Sequence, residues 1–425
     1  MKNSLQNKKK IFILIQKEVV NVVGGAITVF INFCNLLCQN GYEVHGICHN
    51  SIIGKPTGLD SNVIFINLYQ KYDGLDYFRS INKYIKENSP NLLIFFFPFL
   101  YADAHLKKDF DNIPRILMFH SRPDVYFINS GEKEKLKPQY KNTISQVLFE
   151  SQINLLPDFI KSSKILVIPN SIIPAKKIIN TDIEHKKIVY LSRVDPYKGI
   201  EFLMHSFKKI SKKYKNWSLD IYGHICNEEY YNKLQTLRAK LNLERQIKFK
   251  GITSTPTSTM LDYDFCVFPS YIEGFSIGLI EAQSVGLPAI GLKGCTGVSD
   301  FITNDYNGFL TNKSHRDFAN KIEKMIKNKD LRKIMSQNAV NIASKYSKNI
   351  VDNTWLNVID KILNGKEDKL EFFDIKKLKP SKYKFFKLHD IMKLGQPPKT
   401  FSLKKTFIKI RNIARKRLTM LLKLN

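Results

Sequence analysis

Short, almost wholly apolar runs alternate along this chain with longer stretches in which apolar residues recur every three or four positions. The first pattern describes strands covered on both faces, as in a parallel sheet, and the second describes amphipathic helices. Ile11–Ile15, Glu43–Cys48, Val63–Leu68, Asn91–Phe97, Ile116–His120 and Lys164–Ile168 read as strands. Helices are predicted over Tyr77–Asn88 and over Ala26–Asn40, where Ile27, Phe30, Cys34 and Leu37 share a face and Gly41 ends the element. The alternation restarts with strands Ile188–Ser192, Leu219–Gly223, Ile247–Gly251, Phe265–Phe268 and Pro288–Leu292. The helices of this second series are Ile200–Tyr214, Glu228–Leu241, Ser276–Gly286, His315–Lys327, Leu331–Lys345 and Lys348–Leu363. Two such series predict two Rossmann-like α/β domains facing a cleft, residues 1–178 and 179–347, with a hinge near Ser171–Thr181.

Ligands of open α/β sheets bind beyond the C-terminal ends of the strands, and polar residues gather at those ends here. Gly24-Gly25 follows the first strand, where glycine lets backbone approach a ligand closely. His120, Ser121 and Arg122 end another, and Arg122 is a candidate for phosphate or acceptor. Arg193 and Lys198 leave one turn, where two cations suit a diphosphate. The run from Pro269 to Pro288 carries Glu273-Gly274 in a loop and Glu281 on the helix after it. Free amides at Phe275, Ser276 and Ile277 suit an anion. Carboxylates flanking such a helix start suit a ligand with both phosphates and diols, as in a nucleotide sugar.

Two other patterns carry less. His45, Cys48 and His49 lie on a strand whose alternation separates neighbours, and no second cluster completes a metal site. Asp262-Tyr-Asp264 reads as a structural turn before a buried strand.

Pro269-Ser270, Glu273-x7-Glu281, Gly286-Leu-Pro288 and Arg193-x4-Lys198-Gly199 together resemble the family-4 retaining glycosyltransferases of the GT-B fold, over residues 11 to 363. The resemblance implies that Gly24 and Gly25 lie near donor phosphate and acceptor, and that His120 hydrogen-bonds the donor hexose and balances charge. It implies that Arg193 and Lys198 bind diphosphate, that Glu273 holds the hexose and that Glu281 accepts the ribose hydroxyls. It further implies a donor-side loop at Gly294–Ile302 with Thr296 lining the sugar pocket, a last helix 348–364 bracing the first domain, and no metal or other cofactor. Asn170-Ser171 stands where the family usually has Asn-Gly, a mild departure.

Composition adds a tail. The chain has 425 residues, 43% hydrophobic and 25% charged, in keeping with a globular protein, but its net charge is +29. Six cysteines without paired spacing suit a reducing cytosol. No apolar run approaches membrane-spanning length and no signal peptide is evident, so any membrane contact is expected to be peripheral. Residues 365–425 read as a basic extension. Lys376–Asn425 holds 16 Lys or Arg against Asp390 alone, and Leu403, Phe407, Ile410, Ala414, Leu418 and Leu421 line one helical face. Such a helix suits an anionic membrane surface, and no nucleic-acid motif accompanies it.

The expectation is a retaining hexosyl or N-acetylhexosaminyl transferase using a nucleotide sugar, UDP-linked. Its acceptor would be a lipid-linked or cell-surface glycan, such as lipopolysaccharide or capsule, at the inner face of the cytoplasmic membrane. A soluble sugar-phosphate synthase and a non-catalytic basic adaptor for membrane or nucleic acid remain alternatives.

Overall fold

The computed structural model describes residues 8–15, 25–50, 54–98, 110–127, 143–161 and 164–392. Gly24 and the amphipathic stretch 403–424 lie outside the described residues. The first sheet contains β1 (Lys10–Leu14), β2 (Glu43–Cys48), β3 (Ile64–Asn67), β4 (Leu92–Phe95), β5 (Arg115–Met118), β6 (Ile144–Val147) and β7 (Lys164–Val167), in the order β3-β2-β1-β4-β5-β6-β7. The second contains β8 (Lys187–Leu191), β9 (Ser218–Tyr222), β10 (Ile247–Gly251), β11 (Phe265–Phe268), β12 (Ala289–Leu292) and β13 (Gly308–Thr311), in the order β10-β9-β8-β11-β12-β13. Every pairing is parallel. Two doubly wound sheets of this kind make the GT-B fold. Their strand order reverses between β1 and β4 and between β8 and β11, the points at which such sheets open a crevice for ligands.

The apolar runs become strands because both faces are covered. β4 and β11 are buried along their whole length. β6 escapes the hydrophobic pattern because two of its four residues, Ser145 and Gln146, are polar yet fully buried. Helix α1 (Gly25–Gln39) buries Phe30, Phe33, Cys34 and Leu37 on the first sheet, and Gly41 ends it with φ +90°.

Up to helix α2 (Lys348–Leu363) the chain crosses between domains twice, and a strap at residues 365–392 crosses once more. After β7 it passes Ile172 into the second domain, and it returns before helix α2. The crossings touch: Ile172 N donates to Tyr346 O at 2.9 Å and Lys348 N donates to Ile172 O at 2.8 Å. Helix α2 then buries Val351, Trp355, Val358, Ile359 and Ile362 in the first domain's core, Trp355 meeting Phe33 at 4.9 Å between rings. At about 1.5–3 kcal/mol for each large apolar side chain buried, that face holds the helix to the first domain although its sequence follows the second.

Residues 365–392 correct the expected boundary of the tail. This segment is a strap lying across both domains. Lys164 pairs with Glu367 at 2.6 Å, and Phe373 N donates to Ile165 O at 2.8 Å beside the last strand of the first sheet. Farther on, Phe386 N donates to Gly294 O at 3.1 Å, and Ile391 is buried in the second domain's core. A few widely spaced apolar anchors within a lysine-rich stretch give no periodic signal, so composition alone assigned it to the extension.

Candidate active site

The loops after β8 and β11 form the floor of the site. Asp195 caps the turn after β8, its side chain accepting from Tyr197 N at 2.9 Å, and Gly199 closes the turn at φ +70°. A side chain at 199 would put its Cβ 2.1 Å from the Pro269 carbonyl oxygen, so glycine is required where this turn meets the loop after β11. Tyr271 N, donating to Tyr197 O at 2.9 Å, completes that junction.

The junction brings Lys198 to Glu273. Their side chains form an ion pair at 2.6 Å, and both are about 8% exposed. The expected diphosphate-binding ammonium and hexose-holding carboxylate therefore meet each other across 75 residues of sequence. Around Glu273 the loop is held from three sides. Thr296, expected to line the sugar pocket, donates its hydroxyl to the Glu273 carbonyl at 2.8 Å. Gln152 of the first domain, fully buried, donates to the Gly274 carbonyl at 2.9 Å. A Cβ at Gly274 would lie 2.3 Å from the His120 carbonyl oxygen, so the two domains touch backbone to backbone there.

Helix α3 (Ile277–Ser284) begins one residue later than the pattern suggested, with Ser276 as its N-cap making no side-chain cap bond. Leu279 N is already turned to Ser276 O at 3.1 Å. Ile277 and Gly278 thus carry the outward first-turn amides, and neither meets an acceptor among the described residues. Phe275 is not part of that cradle. Its ring is buried in an aromatic cluster, stacked on Phe149 of the first domain at 5.6 Å and edge-on to Phe301 at 4.8 Å. Gly25 comes against the same helix start, where an added Cβ would meet the end of the Ile277 side chain at 2.7 Å. Gly278 itself was missed within the motif. It packs on the Leu191 carbonyl, 2.5 Å from where a Cβ would stand.

One turn on, Glu281 is half-buried and has no ion pair or side-chain hydrogen bond among the described residues. Burial pushes its carboxyl up to about 7. Arg193 is half-exposed and likewise lacks a carboxylate partner among them.

His120 lies stacked on Phe96 at 3.9 Å. Both ring nitrogens are buried without a partner in hydrogen-bonding geometry, although the Asn170 side chain lies alongside. Burial pushes the imidazole down to about 3, so the ring is neutral at physiological pH. This corrects the charge-balancing role and leaves hydrogen bonding as what the ring can offer. Arg122 is also corrected. It is buried with both arms on Asp124 at 2.7 Å, and its third nitrogen donates to the Phe386 carbonyl of the strap at 3.1 Å. Asp264 accepts from Lys187 N at 3.0 Å and His185 N at 3.3 Å, as a structural turn residue does.

The arrangement therefore joins a rigid, internally neutralised pole at Lys198–Glu273 to a pole made of two amides, a carboxylate without a partner and a guanidinium without a carboxylate partner among the described residues. Residues 171–341 match the family model described as Glycosyl transferases group 1. A Haemophilus influenzae relative described as an uncharacterized glycosyltransferase is 27% identical over 304 residues, spanning 68% of this chain and 82% of its own. Lipopolysaccharide 1,6-galactosyltransferase of Escherichia coli K12 is 23% identical over 316 residues, again 68% and 82% of the two chains. The solved structure of a sucrose-phosphate synthase from Thermosynechococcus elongatus superposes with a TM-score of 0.71 at 15% identity, over 84% of this chain and 100% of that one.

Proposed function

We propose that this chain, a glycosyltransferase enzyme, is a retaining family-4 transferase moving a hexose or N-acetylhexosamine from a UDP-linked donor. Its acceptor is a lipid-linked or cell-surface glycan of the lipopolysaccharide or capsule kind, a reading supported by the galactosyltransferase relative. The observation that carries it is the pairing of a buried Lys198–Glu273 ion pair with an unpaired Glu281 one helical turn beyond two open amides. A diphosphate has negative charge for the amides and for Arg193, and a ribose has two hydroxyls to donate to Glu281.

As the bond from sugar C1 to the leaving oxygen breaks, charge builds on the diphosphate. Fixed dipoles and cations aimed there lower the barrier without reorganising. The Lys198 charge is already met by Glu273, so Arg193 supplies the larger share of new positive potential. Glu273 and the neutral His120 ring hydrogen-bond the hexose from opposite sides. The acceptor hydroxyl attacks the face the leaving group departs from, and its proton passes to the departing phosphate oxygen. No protein nucleophile and no metal is called for. No described helix is long and apolar enough to cross a membrane, and the basic extension is the part proposed to meet an anionic membrane surface at the inner face.

The test is turnover of UDP-, GDP- and ADP-sugars with and without EDTA, the product anomer being read by NMR. Consumption of one UDP-sugar in EDTA with retained configuration is the expected result. Folded protein that binds no nucleotide sugar would refute the reading.

A further inference from the structure

The strap at residues 365–392 lies beyond the stretch 171–341 that matches the family model, and it reaches the active-site loops at Phe386. The Phe386 N–H donates to the Gly294 carbonyl at 3.1 Å, and three carbons of its ring would lie 2.9–3.0 Å from a Cβ at that glycine. The same ring meets Tyr271 edge-on at 5.7 Å. Its carbonyl accepts from the Arg122 guanidinium at 3.1 Å, and Arg122, 2% exposed, is held in turn by both oxygens of Asp124. One half-buried phenylalanine is thus gripped by backbone of the second domain and by a buried cation of the first.

Both ring contacts lead to Glu273. Gly294 is two residues before Thr296, which is buried and donates its hydroxyl to the Glu273 carbonyl at 2.8 Å. At Gly297 an added Cβ would stand 2.8 Å from the Gly274 carbonyl oxygen and 3.1 Å from Glu273 Cβ, so the loop after β12 lies directly against the Glu273 loop. Tyr271, the other contact, is two residues before Glu273. Phe386 therefore touches both segments that fix the carboxylate paired with Lys198. The strap has other anchors: Phe373 N donates to Ile165 O, Lys164 pairs with Glu367, and Ile391 is buried in the second domain's core.

We propose that Phe386 is a positioning residue for sugar transfer, setting the Gly294–Gly297 loop and through it the carboxylate of Glu273; the inference rests on the transferase reading and adds to its site a residue from outside the two Rossmann-like domains. Phe386 acts through Gly294 and Tyr271 and not on substrate. Thr296 and Gly297 steady the Glu273 loop only as firmly as their own loop is held, and that loop carries two glycines, whose backbones have more freedom than other residues. A rigid aromatic ring pressed over Gly294 removes much of that freedom. Arg122 anchors the ring's own backbone, since hydrogen bonds from an ionised donor are about twice as strong as neutral ones. Supporting groups must hold a site to within about 0.5 Å, and a displacement of about 1 Å costs about 10²-fold in rate.

The test uses the full chain and whichever of the UDP-, GDP- and ADP-sugars it consumes, with turnover read as release of the nucleoside diphosphate. Phe386→Ala, Thr296→Val and the double variant are compared, and urea unfolding with calorimetric affinity for that diphosphate reports that each one folds. Phe386→Ala is expected to lower kcat about 10²-fold with diphosphate affinity kept, and Phe386→Leu to recover part of the loss. Because both side chains act through one loop, the double variant should turn over no more slowly than the worse single variant. Losses that multiply overturn the proposal, as does native kcat in Phe386→Ala. A kcat loss matched by an equal loss of diphosphate affinity also overturns it, being the mark of a merely structural ring. If the alanine variant unfolds, the same cycle built on Phe386→Leu decides between shared and multiplying losses. A native protein that consumes no nucleotide sugar refutes the transferase reading and this inference with it, whereas native turnover with multiplying losses strikes the inference alone.

Discussion

The two ends of the stretch from Glu273 to Glu281 carry the same side chain in opposite conditions. Glu273 is buried against Lys198, in a loop fastened by Thr296, Gln152 and the His120 backbone. Glu281 is half-buried with no partner among the described residues, and its carboxyl is held near neutrality. One end is already paired within the protein, and the other keeps its hydrogen-bonding capacity open among the described residues. The difference teaches where rigidity resides: the Glu273 end ties its loop to both domains, and the Glu281 end is the one proposed to meet the nucleotide.

The sharpest way to break this contrast is Lys198→Ala. It strands a buried carboxylate and should cost about 3–5 kcal/mol of stability, read by denaturant unfolding, and adding Glu273→Gln should restore most of that. Arg193→Ala on the receptive side should leave unfolding unchanged and lower kcat about 10²–10³-fold. Equal destabilisation by the two changes would erase the distinction between the poles.

Gly274→Ala should come next. Its Cβ would stand 2.3 Å from the His120 carbonyl and 2.5 Å from Ser121 Cα, backbone atoms that can separate only if the domains part. A misplacement of about 1 Å costs about 10²-fold in rate, so kcat/KM should fall by that order while UDP binding is kept.

Glu281→Gln should have the smallest effect, about a tenfold loss of UDP affinity at pH 8. It also has a pH signature. Because burial raises this acid from its ordinary 4.5 to about 7, the folded protein binds more protons than the unfolded chain between those values. Stability from this group therefore falls as pH rises through that window. Donor hydroxyls favour the ionised form, so UDP affinity should climb from pH 6 to pH 8 and then level off. Calorimetry across that range should show the climb in the native protein and a flatter profile in the variant.

Much of the frame was legible from apolar patterning. Glu43–Cys48, Tyr77–Asn88, Ile247–Gly251, Phe265–Phe268, His315–Lys327 and Lys348–Leu363 match their sequence readings to the residue, because a strand covered on both faces or a helix covered on one needs a local run or a local period. What escaped depends on distant partners. β6 has no apolar run because Ser145 and Gln146 are buried within it, and the Gln146 side-chain nitrogen donates to the Ile168 carbonyl of the neighbouring chain segment. Gln152 looks like any helical glutamine until Gly274, 122 residues away, arrives at its amide. The residue types at the candidate site were readable from motif spacing. The Lys198–Glu273 pair and the neutral state of His120 were not, since both arise from burial that only the assembled domains create.

The adjoining crossings at Ile172 and Ser347 have a mechanical consequence. Two segments hydrogen-bonded side by side form a short ribbon, which flexes readily across its flat face and resists bending within its plane. Domains joined by such a ribbon, and again by the strap fastened to both, have little freedom to slide or twist past each other. The Gly274 backbone is thereby held against the His120 carbonyl on the opposite domain. Registration of the cleft is thus built into the suspension, and the ligand need not steer it.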